Sequence, residues 1–109
     1  MRRKFTGCLI GSIMLGASAL VFAWDAYPTG IPGDIDVAQG TGLGFRLRFS
    51  PAVPMCGNSN DWAYLNTTDI NYSVNVAAIL QAKAQGLNVT VYTTADTNGY
   101  CHIGYLVQH

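Results

Sequence analysis

The stretch "TTDINYSVNVAAILQAKAQG", Thr67 to Gly86, decides the fold, because it places one helical period inside a chain otherwise patterned for strands. Thr67, Thr68, Asp69, Asn71 and Ser73 carry the side-chain oxygens that cap a helix start. Tyr72, Val76, Ile79, Leu80 and Lys83/Ala84 then recur at i, i+4, i+7 and i+8, the stripe of an amphipathic helix. The spacing predicts a helix ending at Gln85, with Gly86 as the left-handed residue that closes it. On either side lie strands. "WAYLN" (62–66) is a short one, and "LNVTVYTT" (87–94) alternates and is rich in β-branched residues.

Upstream, "LGFRLRF" (43–49) has the clearest period-2 pattern in the chain. Leu43, Phe45, Leu47 and Phe49 face one way, while Gly44, Arg46 and Arg48 face the other. "QGTGLG" before it has the glycines of a phosphate loop, but a strand follows where a helix N-terminus is required, so it reads as a hairpin connection. "WDAYPTGIPG" (24–33) is turn-rich and leads to a first strand around Asp34–Ala38. "SPAVPMCGNSND" (50–61), punctuated by Pro51, Pro54 and Gly57, is a loop. Downstream, Asn98-Gly99 marks a hairpin turn. The last strand, "YCHIGYLV" (100–107), puts Cys101, Ile103, Tyr105 and Val107 on one face. The order is β-β-β-α-β-β, a β-rich α+β domain. It forms either a small antiparallel sheet or an OB-like barrel, with one helix covering one side.

The N-terminus reads as an address. Arg2, Arg3 and Lys4 precede an apolar run from Phe5 to Phe22, and "VFA" supplies small residues at a cleavage site after Ala23. The run is near the lower limit of about 17–25 residues for a membrane span, so retention as an anchor is the competing reading. Cys8 stands at the start of the apolar run rather than its end, which argues against a lipoprotein box. Removing 23 of the 109 residues leaves 86, one domain at residues 24–109. There, Arg46, Arg48 and Lys83 oppose six aspartates, and +3 − 6 gives −3. An acidic, sparsely charged domain without a basic patch suits neither nucleic acid nor an anionic membrane. The expected location is periplasmic or extracellular.

With Cys8 removed, Cys56 and Cys101 remain, and an exported chain of this size pairs them in one disulfide. Closing a loop of about 45 residues stabilises by roughly 4 kcal/mol in the chain-entropy account. A metal site fails on number, because two cysteines and His102 give three ligands at best and neighbouring strand residues point apart. His102 has two readings. It is a half-exposed sheet histidine whose loss folding tolerates, or a base or ligand contact that needs partners from elsewhere. His109, the last residue, is expected to fray.

The segment "CGNSNDWAYLNTTDINYSVNVAAILQAKAQGLNVTVYTT…GYCHIGYL" resembles a group of small exported bacterial proteins of unassigned function. It also resembles, more distantly, the B subunits of AB5 toxins of the subtilase-cytotoxin and pertussis-toxin-like branch. The shared features are a signal peptide, a similar mature length, an intrachain disulfide and an OB-like order of three strands, helix and two strands, over about residues 43–107. That resemblance implies ring-forming subunits that bind cell-surface glycans. The chain departs from those subunits in a shorter first half and a single disulfide, and no toxin A subunit is visible in the sequence.

Three function classes follow. The first is a secreted or periplasmic binding module, glycan-binding and oligomeric by that analogy. Sugars stack on aromatic faces and hydrogen-bond to Asn, Asp and Thr. The candidates are Asn58, Asn60, Asp61 and Trp62 in one segment, and Tyr92, Asp96, Asn98 and Tyr100 in another. Both flank the Cys56–Cys101 bridge and are expected to meet at one edge. The bland alternative makes the polar residues turn formers and Trp62 and Tyr64 core aromatics. The second class, an enzyme, is disfavoured. The chain has no glutamate, its serines lack a nucleophile elbow, and an Asp96–His102 dyad has no support in spacing. No cofactor or metal is expected, "DTNG" being too poor in carboxylates for calcium. The third is a small envelope interaction or inhibitor-type protein whose partner is another envelope or secreted protein, marked by exposed aromatics on one patch.

Overall fold

The computed structural model describes residues 24–109; the proposed signal peptide lies outside them. Five strands close a barrel: β1 (Thr29–Val37), β2 (Phe45–Ser50), β3 (Ala63–Leu65), β4 (Val89–Ala95) and β5 (Cys101–Gln108). Round the wall the order is β1-β2-β3-β5-β4, with β4 returning to β1. One helix, α1 (Tyr72–Gln85), joins β3 to β4. The OB-like order is therefore observed. Of the two architectures it allowed, the barrel is the one formed. Its wall is not wholly antiparallel, because β3 runs parallel to β5 through Ala63–Cys101 and Tyr64–His102.

The interior is filled by alternate residues of each strand. Phe45, Leu47 and Phe49 of β2 meet Ala63 and Leu65 of β3, Val89 and Val91 of β4, and Cys101 and Ile103 of β5, all buried. Arg46 and Arg48 point outward, as the alternation requires. Leu43 departs from the pattern. It sits before the strand at φ 57° with its amide donating to Asn66 Oδ1. The Cys56–Cys101 disulfide ties the loop after β2 to the start of β5, with Cα atoms 5.3 Å apart.

α1 closes one end of the barrel. Ile79 and Ala82 are fully buried, and Tyr72 and Val76 pack beside them. Leu80 and Ala84 are exposed, so the buried stripe follows 72, 76, 79 and 82 rather than turning through 80 and 84. Gly86 ends the helix at φ 67°, its amide donating to the carbonyls of Ala82 and Lys83. The start differs from expectation. Asn71 is left-handed and makes no side-chain cap, while Asp69 accepts the Asn66 amide at 2.8 Å and shapes the preceding turn.

Three further departures concern glycines and termini. β1 begins at Thr29 rather than near Asp34, because "TGIPG" is strand and not turn. A side chain at Gly30 would stand 2.8 Å from the Phe49 ring, so its glycine permits strand packing. In β5, Thr93 pairs with Ile103 but Tyr92 pairs with Tyr105, leaving Gly104 as the extra residue of a bulge. Beyond it the alternation reverses. Tyr105 turns outward and Leu106 packs against the core. His109 has partners where a free end was expected: its amide donates to the Asn88 carbonyl, and its ring shares a 2.9 Å hydrogen bond with Thr90.

Candidate functional site

The two segments singled out in the sequence meet beside the disulfide. Asn58 Nδ2 donates to the Gly99 carbonyl at 3.0 Å, with Asn60 Nδ2 at 3.5 Å from the same oxygen. The Trp62 and Tyr100 rings lie 4.9 Å apart, and the Arg46 guanidinium stands 5.3 Å from the indole centroid. Most polar members of the set are occupied in building the edge. Asn58 Oδ1 accepts the Asn60 amide, and Asp96 Oδ1 accepts the amides of Asn98 and Tyr100. Asp61 accepts from Arg48 Nε at 3.1 Å. Asn98 is exposed at the turn tip. Tyr92 does not join this group. It lies up β4 among other rings.

From this edge a network runs across the outer wall. Arg46, Tyr64 and His102 stand on neighbouring strands in one rung, which continues to Thr94. The Tyr64 hydroxyl donates to Asp96 Oδ2 at 2.8 Å. His102 stacks on Tyr64, centroids 5.0 Å apart, and its Nε2 is 2.8 Å from Asp69 Oδ2. A carboxylate only accepts, so Nε2 carries the proton in this pair. His102 thus meets Asp69 of the β3–α1 connection, and Asp69 rather than Asp96 is its hydrogen-bond partner.

Electrostatics follow the bonds. Burial, the hydrogen bond to Asp96 and the nearby Asp96 and Asp69 charges hold the Tyr64 hydroxyl protonated well above the ordinary tyrosine range. At Asp96, desolvation pushes the carboxyl up. The bonds from Tyr64, Tyr100 and Asn98, with the charge of His102, outweigh it and hold the group below its ordinary value.

A cleft of about 370 Å³ opens next to this network. Thr68, Asp69 and Ile70 form one side, Asn75 of α1 another, and His102, Ile103 and Gly104 of β5 the third. It exists because β3 stops at Leu65 while β5 runs on to Gln108. Among the described residues, no three His, Cys, Asp or Glu side chains are placed to hold a metal ion.

The fourth feature escaped the sequence reading. Residues 24–28 run beside β4, with Ala26 bridging Thr93 and the Asp25 carboxylate accepting the Ala95 amide at 2.7 Å. This arm lays the Trp24 ring on Gly104, where any Cβ would come within 2.4 Å of the indole. Tyr92 is the hub of the resulting cluster. Its ring lies 6.0 Å from Trp24, 5.7 Å from Tyr27 and 5.1 Å from Tyr105. Tyr27 and Tyr105 are 67% and 55% exposed, so this outer wall presents aromatic surface to solvent. A glycine inside an alternating strand is a bulge signal, and reading it so would have turned Tyr105 outward.

Comparison with known protein families, with curated proteins and with solved structures finds no match to this chain.

Proposed function

We propose that this chain is an exported binding module, periplasmic or extracellular, that recognises a glycan through the aromatic outer wall of β4 and β5 and acts without catalysis. One observation carries the reading: Trp24, Tyr27, Tyr92 and Tyr105 converge from three segments into one cluster whose outer tyrosines remain open to solvent. Tyrosine and tryptophan combine an apolar face with a polar edge, which is what a pyranose ring with its apolar patch and hydroxyl rim requires. An exposed aromatic patch on a small domain marks an interaction surface. The likeness to AB5 B subunits in element order and disulfide supports the same reading and suggests a homo-oligomer. The disulfide is compatible with export after cleavage near Ala23.

The Trp62–Tyr100 edge is the weaker face for stacking. Arg46 covers the indole, and its Asn and Asp neighbours are spent on the turn. A second reading, a small envelope interaction protein, draws on Ile70 and Val74, which are 88% and 65% exposed beside the start of α1. A glycan array probed with the oxidised 24–109 chain separates them. The glycan reading expects retention on defined carbohydrates. Retention on none, with capture of an envelope protein that Ile70→Ser abolishes, selects the second.

A further inference from the structure

The aromatic wall ends at Gly104, and the cleft begins there. Gly104 lines the cleft with Asp69 and His102 and also carries the Trp24 ring. A chain-like ligand lying over Tyr105, Tyr92 and Trp24 is thereby led into a recess floored by β5. At about 370 Å³ the recess is small for a ligand pocket, which commonly spans about 300–1,000 Å³. That size suits a single sugar ring rather than an oligosaccharide.

Its polar groups are disposed for hydroxyls. Asp69 Oδ2 is taken by the Asn66 amide and by His102, and Oδ1 has no partner among the described residues. Neither the Asn75 side chain nor the Thr68 hydroxyl is bonded within that set. The cleft therefore offers a carboxylate oxygen, an amide that both donates and accepts, and a hydroxyl, beside the exposed apolar side chain of Ile70. An ionised carboxylate is a strong acceptor, and the two donors on Oδ2 hold it in place. It also repels an anion. No lysine or arginine lines the recess, and the imidazole of His102 already faces Asp69.

The geometry points to the cleft as a subsite for one neutral hexose, the terminal residue of the ligand, gripped through adjacent hydroxyls by Asp69 and Asn75 and discriminating against acidic sugars. This inference rests on the glycan reading and adds to it the place, charge and size of the terminal unit.

The test is amide-resolved NMR titration of the oxidised 24–109 chain with the methyl glycosides of glucose, galactose and mannose, and with glucuronic acid. At least one neutral glycoside is expected to shift Thr68–Ile70, Asn75 and His102–Gly104 with a dissociation constant on the order of millimolar. Glucuronic acid is expected to leave them unmoved. Asp69→Asn should weaken the neutral sugar roughly tenfold, the scale of a charge-assisted hydrogen bond. Because Asp69 also orders its own turn, Asn75→Ala is the second variant. Alanine favours the helix, so a loss of affinity there reports the contact. Shifts confined to Tyr27, Tyr92 and Tyr105 overturn the cleft subsite and leave the glycan reading standing. Equal binding of glucuronic acid in the cleft overturns its charge discrimination. Absence of shifts with every monosaccharide also overturns the subsite, and the glycan array then decides the wider reading by itself.

Discussion

The Tyr64 hydroxyl donates to Asp96 at 2.8 Å, joining the middle of β3 to the turn between β4 and β5. Asp96 also gathers the amides of Asn98 and Tyr100, so one carboxylate orders the hairpin tip and anchors it to the parallel strand pair. The pH dependence has two arms. The Asp96 carboxyl lies below its ordinary value of 3.8 when folded, so its contribution is present above that value and is lost as pH falls through the lower, folded one. The Tyr64 hydroxyl lies above its ordinary 10.0, so its contribution is complete below pH 10 and declines as pH rises beyond it. Melting curves should show Asp96→Asn less stable than the parent at neutral pH and the gap narrowing below pH 3.8. Tyr64→Phe should cost about 1–3 kcal/mol. A constant gap across the acid range would contradict the assignment to Asp96.

His102 is expected to matter for stability more than an ordinary sheet histidine. Removing it leaves the Asp69 carboxylate, only 20% exposed, without its side-chain donor. His102→Ala should cost about 1–3 kcal/mol by denaturant unfolding. A coupling energy near zero in a double-mutant cycle with Asp69→Ala would show that the pair contributes nothing.

Gly104→Ala should destabilise by about 1–3 kcal/mol, because the methyl group occupies space held by the Trp24 indole. The indole must leave, so tryptophan fluorescence should change with it. In a Trp24→Ala background the same substitution should be nearly neutral. An equal cost in both backgrounds would place the constraint in the backbone of the bulge instead.

Cys101→Ser should lower stability by roughly 4 kcal/mol, the loop-closure value for 45 residues. The melting temperature of the parent should fall on reduction, and that of the variant should not respond. A parent insensitive to reductant would refute this.

The parts of the fold that depend on local pattern were legible in the sequence. The strict alternation in Phe45–Phe49, the Asn98-Gly99 turn and the Gly86 stop each have one physical cause within a few residues. β1 was not, because Gly30 and Gly33 look like turn residues until the Phe49 ring and Ser50 are seen packed against them. Asp69 was read as a cap because helix chemistry makes it one locally; its bond to His102 spans 33 residues and leaves no trace in spacing. The candidate site divides the same way. Trp62 and Tyr100 were brought together by following the disulfide. The Trp24–Tyr27–Tyr92–Tyr105 wall required knowing that the arm runs beside β4 and that Gly104 reverses the face of β5.

The most direct test of glycan recognition by that wall is array binding of the oxidised 24–109 chain beside a Tyr27→Ala/Tyr105→Ala variant. Both tyrosines are more than half exposed, so the variant should melt within a few degrees of the parent. The expected result is retention of the parent on defined glycans and loss of at least ten-fold in the variant. Retention undiminished by the two substitutions, or no retention of the parent at all, would contradict it.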